Sequence, residues 1–446
     1  MVSRPLLYLG LIVLVVILIA GYFLLTQRPE GPPVETPTTS PVGTTPARIP
    51  VELIWASTQL SPAPEQEVVR GLLEEFAKET GIKVTFVPLG YAEMSARVEA
   101  EVTSGRVTIS VIGALSTEIE FFTAKGWVED LTRFGTLTGR TFFEDLEALS
   151  RIGGVKAYVP WMTATYVIVV NNKAFNYLPP GLTRDDVVMG TEKWTYEALL
   201  EWARRLKEAT GRELVGFPAG AKGLFHRFLH GFLYPSFTGY QAREFNSEDA
   251  VRAWSYLSEL WKYVHPASTT WDAMAEPLLK EEVWIAWDHV ARVREAIVTK
   301  PEEFTVVPVP IGPKGRGYII VLAGLAIPKG APNQDAAWKL IEFMTRPEVQ
   351  ATILEKVGFF PTVKEAGGRV TGALKKMVDG VNTQLSAPKG IPVFIPSLGA
   401  KGGEFTAIYR EAFERIVLRG EDARSVLNEL WPRLKGIFEE VGVPLS

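Results

Sequence analysis

The stretch EEVWIAWDHVARV, residues 281–293, places an acid and an imidazole directly behind two tryptophans spaced three apart. Asp288 and His289 are the residue types of an acid–base pair. On a strand, however, neighbours point to opposite faces, and no G-x-S-x-G, H-E-x-x-H or paired-carboxylate motif accompanies them. Read as a helix, Trp284 and Trp287 share a face and fill a core. Read as a strand ending at Trp287, Asp288 and His289 open a loop. Core, binding loop and catalytic pair therefore all stand open on the residues alone. His226 and His230 (HRFLH) have helical i,i+4 spacing but lack the glutamate of a zincin, so they read as structural and no metal site is expected. GPKGRG, residues 312–317, lacks the G-x-x-x-x-G-K-[ST] spacing and leads into a strand, so no phosphate cradle and no cofactor are expected. Trp271 and Asp272 fall in a turn-rich gap (HPASTTWDAMAEP); an apolar ring in a polar loop needs cover, which makes Trp271 a candidate ligand contact. Cysteine is absent, which excludes disulfides, thiolate zinc, a Cys nucleophile and attachment through a lipidated cysteine.

The elements that must position these residues read as an α/β body. The 446 residues, 47% apolar and 22% charged, are enough for two or three domains or one large bilobed unit. A net charge of −4 argues against a nucleic-acid partner. From Val51 the order is strand (VELIWAS), helix (EQEVVRGLLEEFAKETG), strand (IKVTFVPL), helix (YAEMSARVEAEVTSG), strand (VTISVIGA). Val68, Val69, Leu72, Leu73 and Phe76 form the inward face of the first helix, and Gly81 stands at its C-cap. Such an order predicts a parallel sheet flanked by helices, with ligands held beyond the carboxyl ends of its strands. The loops Ala56–Gln59 and Ala114–Thr117 are then the ones to watch. Thr117 and Glu120 also have the spacing of a capping box. Trp202, Trp254 and Trp261 lie on amphipathic helical patterns and are expected in the core. Ahead of the body, Leu6–Leu25 is uncharged and about the ~20 residues that cross a bilayer, which predicts a transmembrane anchor within residues 1–27, with a cleaved signal peptide as the alternative. Residues 28–50, rich in Pro and Thr, read as an extended stalk.

In FAKETGIKVTFV, FFTAKGWVEDLT, VPWMTATYVIVVNNKAF and the long run from VVPVPIGPKGRGYIIVLAGLAIP to VGFFPTVKEA, taken in order, the body resembles the extracellular solute-binding proteins of ABC importers. The resemblance is to the sugar-binding branch that includes maltose-binding proteins, and it spans about residues 51–440. It implies a two-lobed periplasmic-binding-protein fold of type II, each lobe a mainly parallel sheet flanked by helices. Lobe 1 would comprise residues 51–160 and 312–368, and lobe 2 residues 161–311 and 369–446. It further implies a monomeric receptor without catalytic residues, closing on a sugar or oligosaccharide and docking on permease subunits. The helix and stalk without a lipoprotein cysteine resemble archaeal forms anchored on the outer face of the cell membrane. The ligand-binding residues implied are Ser57, Thr58 and Gln59 after the first strand, Ser116 and Thr117 after the third, and Trp161 with Thr163 at the hinge. Trp287 and Asp288 would face the cleft at the end of a strand Val283–Ala286, with Trp284 packed inside, and Gly324 would lie on the returning strand. Strongly anionic solutes are less expected, because these loops carry no cluster of Arg and Lys, and helix N-termini are left as the alternative anion sites.

Overall fold

The computed structural model describes residues 51–445. The expected anchor at Leu6–Leu25 and the stalk at 28–50 lie outside them. Among the described residues no helix is long and apolar enough to cross a membrane.

The strands are β1 (Glu52–Ser57), β2 (Lys83–Pro88), β3 (Val111–Leu115), β4 (Arg151–Ile152), β5 (Val155–Lys156), β6 (Val159–Ala164), β7 (Tyr166–Asn171), β8 (Val215–Gly216), β9 (Ile285–His289), β10 (Phe304–Val307), β11 (Arg316–Ile319), β12 (Val321–Ala326) and β13 (Gly390–Val393). One sheet has the order β2-β1-β3-β12-β6 and a second the order β10-β7-β9-β8, with β11-β13 and β4-β5 as separate pairs. In the first sheet β1 runs parallel to β2 and β3, while β12 is antiparallel to both β3 and β6. In the second, β7 is antiparallel to β10 and β9, and β8 is parallel to β9. The odd strand in each sheet is the one arriving from the other lobe. All the parallel strands therefore point their carboxyl ends toward the crossings, so both sets of ligand-holding ends face one cleft.

Local chemistry sets these elements in place. The helix Ala63–Thr80 has Pro in its first turn and stops at Gly81, whose φ of 71° only glycine adopts without strain. Its face of Val69, Leu72, Leu73 and Phe76 is buried against the first sheet, with Val68 packed partly alongside. The lobe 1 core gathers residues from Leu53 to Met162 and from Leu322 to Ala366. The lobe 2 core runs from Ala164 to Val321 and adds Met377 to Phe438, so the C-terminal helices Gly402–Ala412 and Ala423–Val441 pack on lobe 2. Trp202 and Trp254 are buried there, and Trp261 lies half-buried against Phe413.

The first crossing falls at Thr165, between β6 and β7, and the second at Ile320, between β11 and β12. Both come later than boundaries at 160 and 312, because β6 stays hydrogen-bonded to β12 through Ala164 while Tyr318 and Ile319 still pack into lobe 2. Thr163 Oγ1 donates to Val321 O at 2.8 Å and Thr165 Oγ1 to Ile319 O at 2.7 Å, which ties the two crossing strands together.

Candidate functional site

On lobe 1 the cleft is built from the ends of β1 and β3. Ser57 is fully buried and its Oγ accepts from Gln59 N at 3.0 Å, so it shapes the turn rather than facing a solute. Thr58 and Gln59 are half-buried; Thr58 Oγ1 donates to Glu118 Oε2 at 2.7 Å and accepts from Gln59 Nε2 at 3.1 Å. Glu118 also accepts from Leu115 N at 2.9 Å. The helix Ser116–Ala124 thus begins one residue before Thr117, and Glu118, not Glu120, closes its first turn. Burial raises the Glu118 carboxyl above its ordinary range, against the pull of Thr58 and the Leu115 amide. Thr117 Oγ1 donates to Ile395 O at 3.1 Å, linking the loop to the segment after β13. Ser116 is half-buried.

On lobe 2 the start of β7 lies in an aromatic core, where Tyr166 is only 2% exposed. Tyr166, at the start of β7, stacks on Trp287 with ring centres 4.9 Å apart and planes 4° apart. Trp287 is 1% exposed, wedged edge-on between Phe228 and Phe232. This corrects the expected cleft-facing Trp287. The strand runs on to His289 rather than ending at Ala286, so Trp287 sits in mid-strand beneath Tyr166. Trp284 precedes the strand and is half-buried beside Tyr177, not packed inside. Asp288 is corrected too: it is 0% exposed, and its carboxylate accepts from Met274 N at 3.0 Å and His289 N at 2.7 Å. Burial pushes its pKa up to about 7. His289 Nδ1 accepts from Ala291 N at 3.2 Å and so caps the helix Val290–Thr299; burial, with Arg292 and Arg227 nearby, pushes it down to about 3. The acid touches the histidine's backbone, not its ring, and the pair is not arranged for proton transfer.

Three further expectations move. Trp161 is fully buried, 5.4 Å from the Trp55 ring in the lobe 1 core. Thr163 spends its hydroxyl on Val321 O at the crossing. Gly324 makes room not for a solute but for Tyr158, whose ring carbon would lie 2.3 Å from a Cβ. Trp271 stays on the lobe 2 rim, half-buried and stacked on His265 at 4.8 Å. Asp272 Oδ1 beside it accepts from Lys222 N at 2.8 Å. His226 and His230 have ring centres 6.1 Å apart and are both buried; burial drives His226 down to about 2. Among the described residues no group of three or more His, Cys, Asp and Glu is arranged to hold a metal ion.

The residues that sequence reasoning missed are arginines. Arg292 Nη1 donates to Asp272 O at 2.8 Å and Lys222 O at 3.3 Å. Arg410 reaches Gly220 O at 3.1 Å, Gly223 O at 2.6 Å and His226 Nδ1 at 3.5 Å. Arg227 is half-buried, and its charge bears on Glu118, Tyr166 and His289. Its Nε is sealed from solvent with no partner. These arginines stand on helices, not on the loops after β1 and β3. In the first turn of the helix Ala63–Thr80, burial pushes Glu65 up to about 7, opposed by Arg292.

With this geometry in view, the chain can be set beside known proteins. The bacterial extracellular solute-binding protein family model matches residues 62–351. A spermidine/putrescine-binding periplasmic protein of Salmonella typhimurium is 23% identical over 354 residues, covering 78% of this chain and 87% of that protein. The sugar-binding protein MalE of Xanthomonas citri superposes with a TM-score of 0.68 at 18% identity, covering 87% of this chain and 97% of the other. UgpB of Mycobacterium tuberculosis, in complex with glycerophosphocholine, gives 0.65 at 18%, covering 88% and 98%. These likenesses carry the two-lobed fold, and the family match extends over most of the body. The chain belongs to the bacterial extracellular solute-binding protein family.

Proposed function

We propose that this chain is the receptor of an ABC importer, that it captures a sugar or oligosaccharide between its lobes, and that it hands the solute to permease subunits without chemically altering it. The observation that carries this reading is the pairing of two unlike walls. Lobe 1 brings the half-buried polar side chains of Thr58, Gln59, Ser116 and Thr117 to the ends of β1 and β3, and lobe 2 brings the half-buried Trp271 ring, stacked on His265. A pyranose has the matching faces: hydroxyls at its rim and apolar C–H groups on its flat side, which an aromatic platform covers. The likeness to MalE of Xanthomonas citri supports the same class. In this reading Leu6–Leu25 tethers the receptor and residues 28–50 hold it off the membrane, an inference from sequence alone.

Ligand binding to the folded state raises the melting midpoint with affinity. Thermal-shift titration with neutral and acidic mono- and oligosaccharides should therefore move the midpoint for at least one sugar. A response to spermidine or putrescine and to no sugar would replace this reading with the polyamine class of the Salmonella relative. Chromatography of the bound oligosaccharide should recover it unhydrolysed.

A further inference from the structure

We propose that a cavity in lobe 2 is a subsite for the acetamido group of an N-acetylated sugar. The proposal rests on the sugar-receptor reading above and narrows it. The cavity has a volume of about 120 Å³. It lies against residues 217–224, the loop that leaves the carboxyl end of β8. That is the end at which sheets of this kind hold ligands. Gly220 N donates to Trp271 O at 2.8 Å, which sets the loop against the aromatic rim. Thr269, two residues before Trp271, stands exposed at the cavity mouth. An apolar cavity of roughly 150 Å³ takes benzene. This one is therefore too small for a pyranose ring and large enough for a substituent projecting from one.

The lining states what that substituent is. Phe225, Leu229 and Phe413 are buried and give the cavity an apolar side. A hydroxyl turned toward them would lack a hydrogen bond, whereas a methyl group gains by burial there. Arg410 lines the same space. It donates to Gly220 O at 3.1 Å and Gly223 O at 2.6 Å, and its Nη2 stands 3.5 Å from His226 Nδ1. A guanidinium carries five N–H groups, so donors remain for a carbonyl oxygen. Burial keeps the His226 ring neutral, and it adds no charge to the wall. Glu414 is exposed at the mouth. It pairs with Arg419 only at 3.7 Å, beyond hydrogen-bond distance, so its oxygens can accept from an amide N–H. A carbonyl for Arg410, an N–H for Glu414 and a methyl end for the phenylalanines together make an acetamido group. A carboxylate would meet the charge of Glu414, and an ammonium that of Arg410.

The test uses the full-length chain and calorimetry with matched pairs of sugars. Glucose, galactose and mannose are set against their 2-acetamido forms, and cello- against chito-oligosaccharides of equal length, with spermidine beside them. At least one acetamido sugar should bind about ten- to a hundredfold more tightly than its hydroxyl counterpart, the scale of one small group filling a fitted apolar pocket. Ala219→Leu, which extends a half-buried wall residue into the cavity, should erase that preference. Glu414→Ala should reduce it about tenfold, as loss of one hydrogen bond to a charged group does. Because Glu414 is exposed, that variant should melt without ligand at the wild-type midpoint, which separates lost recognition from lost folding. Hydroxyl sugars binding as tightly as every acetamido counterpart, or a preference left whole in either variant, would overturn the subsite while leaving the sugar receptor intact. Spermidine binding alone, or binding of no member of the panel, would overturn both readings.

Discussion

Trp287 and Gly324 show how a single residue's type conceals its neighbour's shape. A tryptophan beside a polar pair reads equally well as core or cleft, and the decision turns on where the strand ends. Because β9 continues to His289, the ring is buried under Tyr166. Trp287→Ala should therefore cost about 3–5 kcal/mol in urea denaturation, the range for a fully buried large-to-small change. A variant of wild-type stability that only lost ligand affinity would restore the cleft-facing role. Gly324→Ala should cost about 1–3 kcal/mol, since the added methyl would meet the Tyr158 ring at 2.3 Å. Tyr158→Leu, which clears that space, should recover part of the loss when the two are combined.

At the scale of elements the alternation of strand and helix was legible from the first hundred residues of the body, and so were the positions of the loops after β1 and β3. Gly81 ended its helix where φ had to turn positive. Arg227 was not legible, because an arginine on a helix looks like an ordinary solvated charge until the packing around its Nε is seen. The segment LHGFLYPSFT also resisted reading. Leu229–Leu233 is a π-helical turn, which shifts the phase of the apolar face before Tyr234–Thr238 resumes the α-helix. The crossing strands carry their own prediction. Thr165→Val leaves the buried Ile319 carbonyl without its hydroxyl donor, a loss of about 1–3 kcal/mol. Thr163→Val does the same at Val321. Both sites stitch the hinge, so solute affinity should shift along with the urea midpoint. Unchanged affinity and stability in both variants would mean that the crossing draws no stiffness from these hydroxyls.

For the whole molecule, buried ionisable groups couple stability to pH in two opposing directions. His226 and His289 are pushed down to about 2 and about 3, and His230 well below its ordinary value, chiefly by burial. Unfolded histidines take up a proton near ~6.5. Below that pH the unfolded chain binds protons that the folded chain refuses, so this contribution is complete above ~6.5 and drains away as pH falls. Asp288 and Glu65, raised to about 7, act the other way. Folded, they hold protons that unfolded carboxylates release near ~4, so they stabilise most below ~4 and lose that contribution as pH rises toward 7. Single substitutions separate the two. His226→Gln keeps a polar acceptor beside Arg410 and removes one titration. Its stability relative to wild type should improve on acidification from pH 6.5 to 4.5, by up to about 1.4 kcal/mol per pH unit. Asp288→Asn keeps an acceptor for the Met274 amide, and its stability relative to wild type should worsen over the same interval. Urea midpoints across that range decide the matter: curves parallel to wild type for both variants would mean that neither group is shielded as its burial requires.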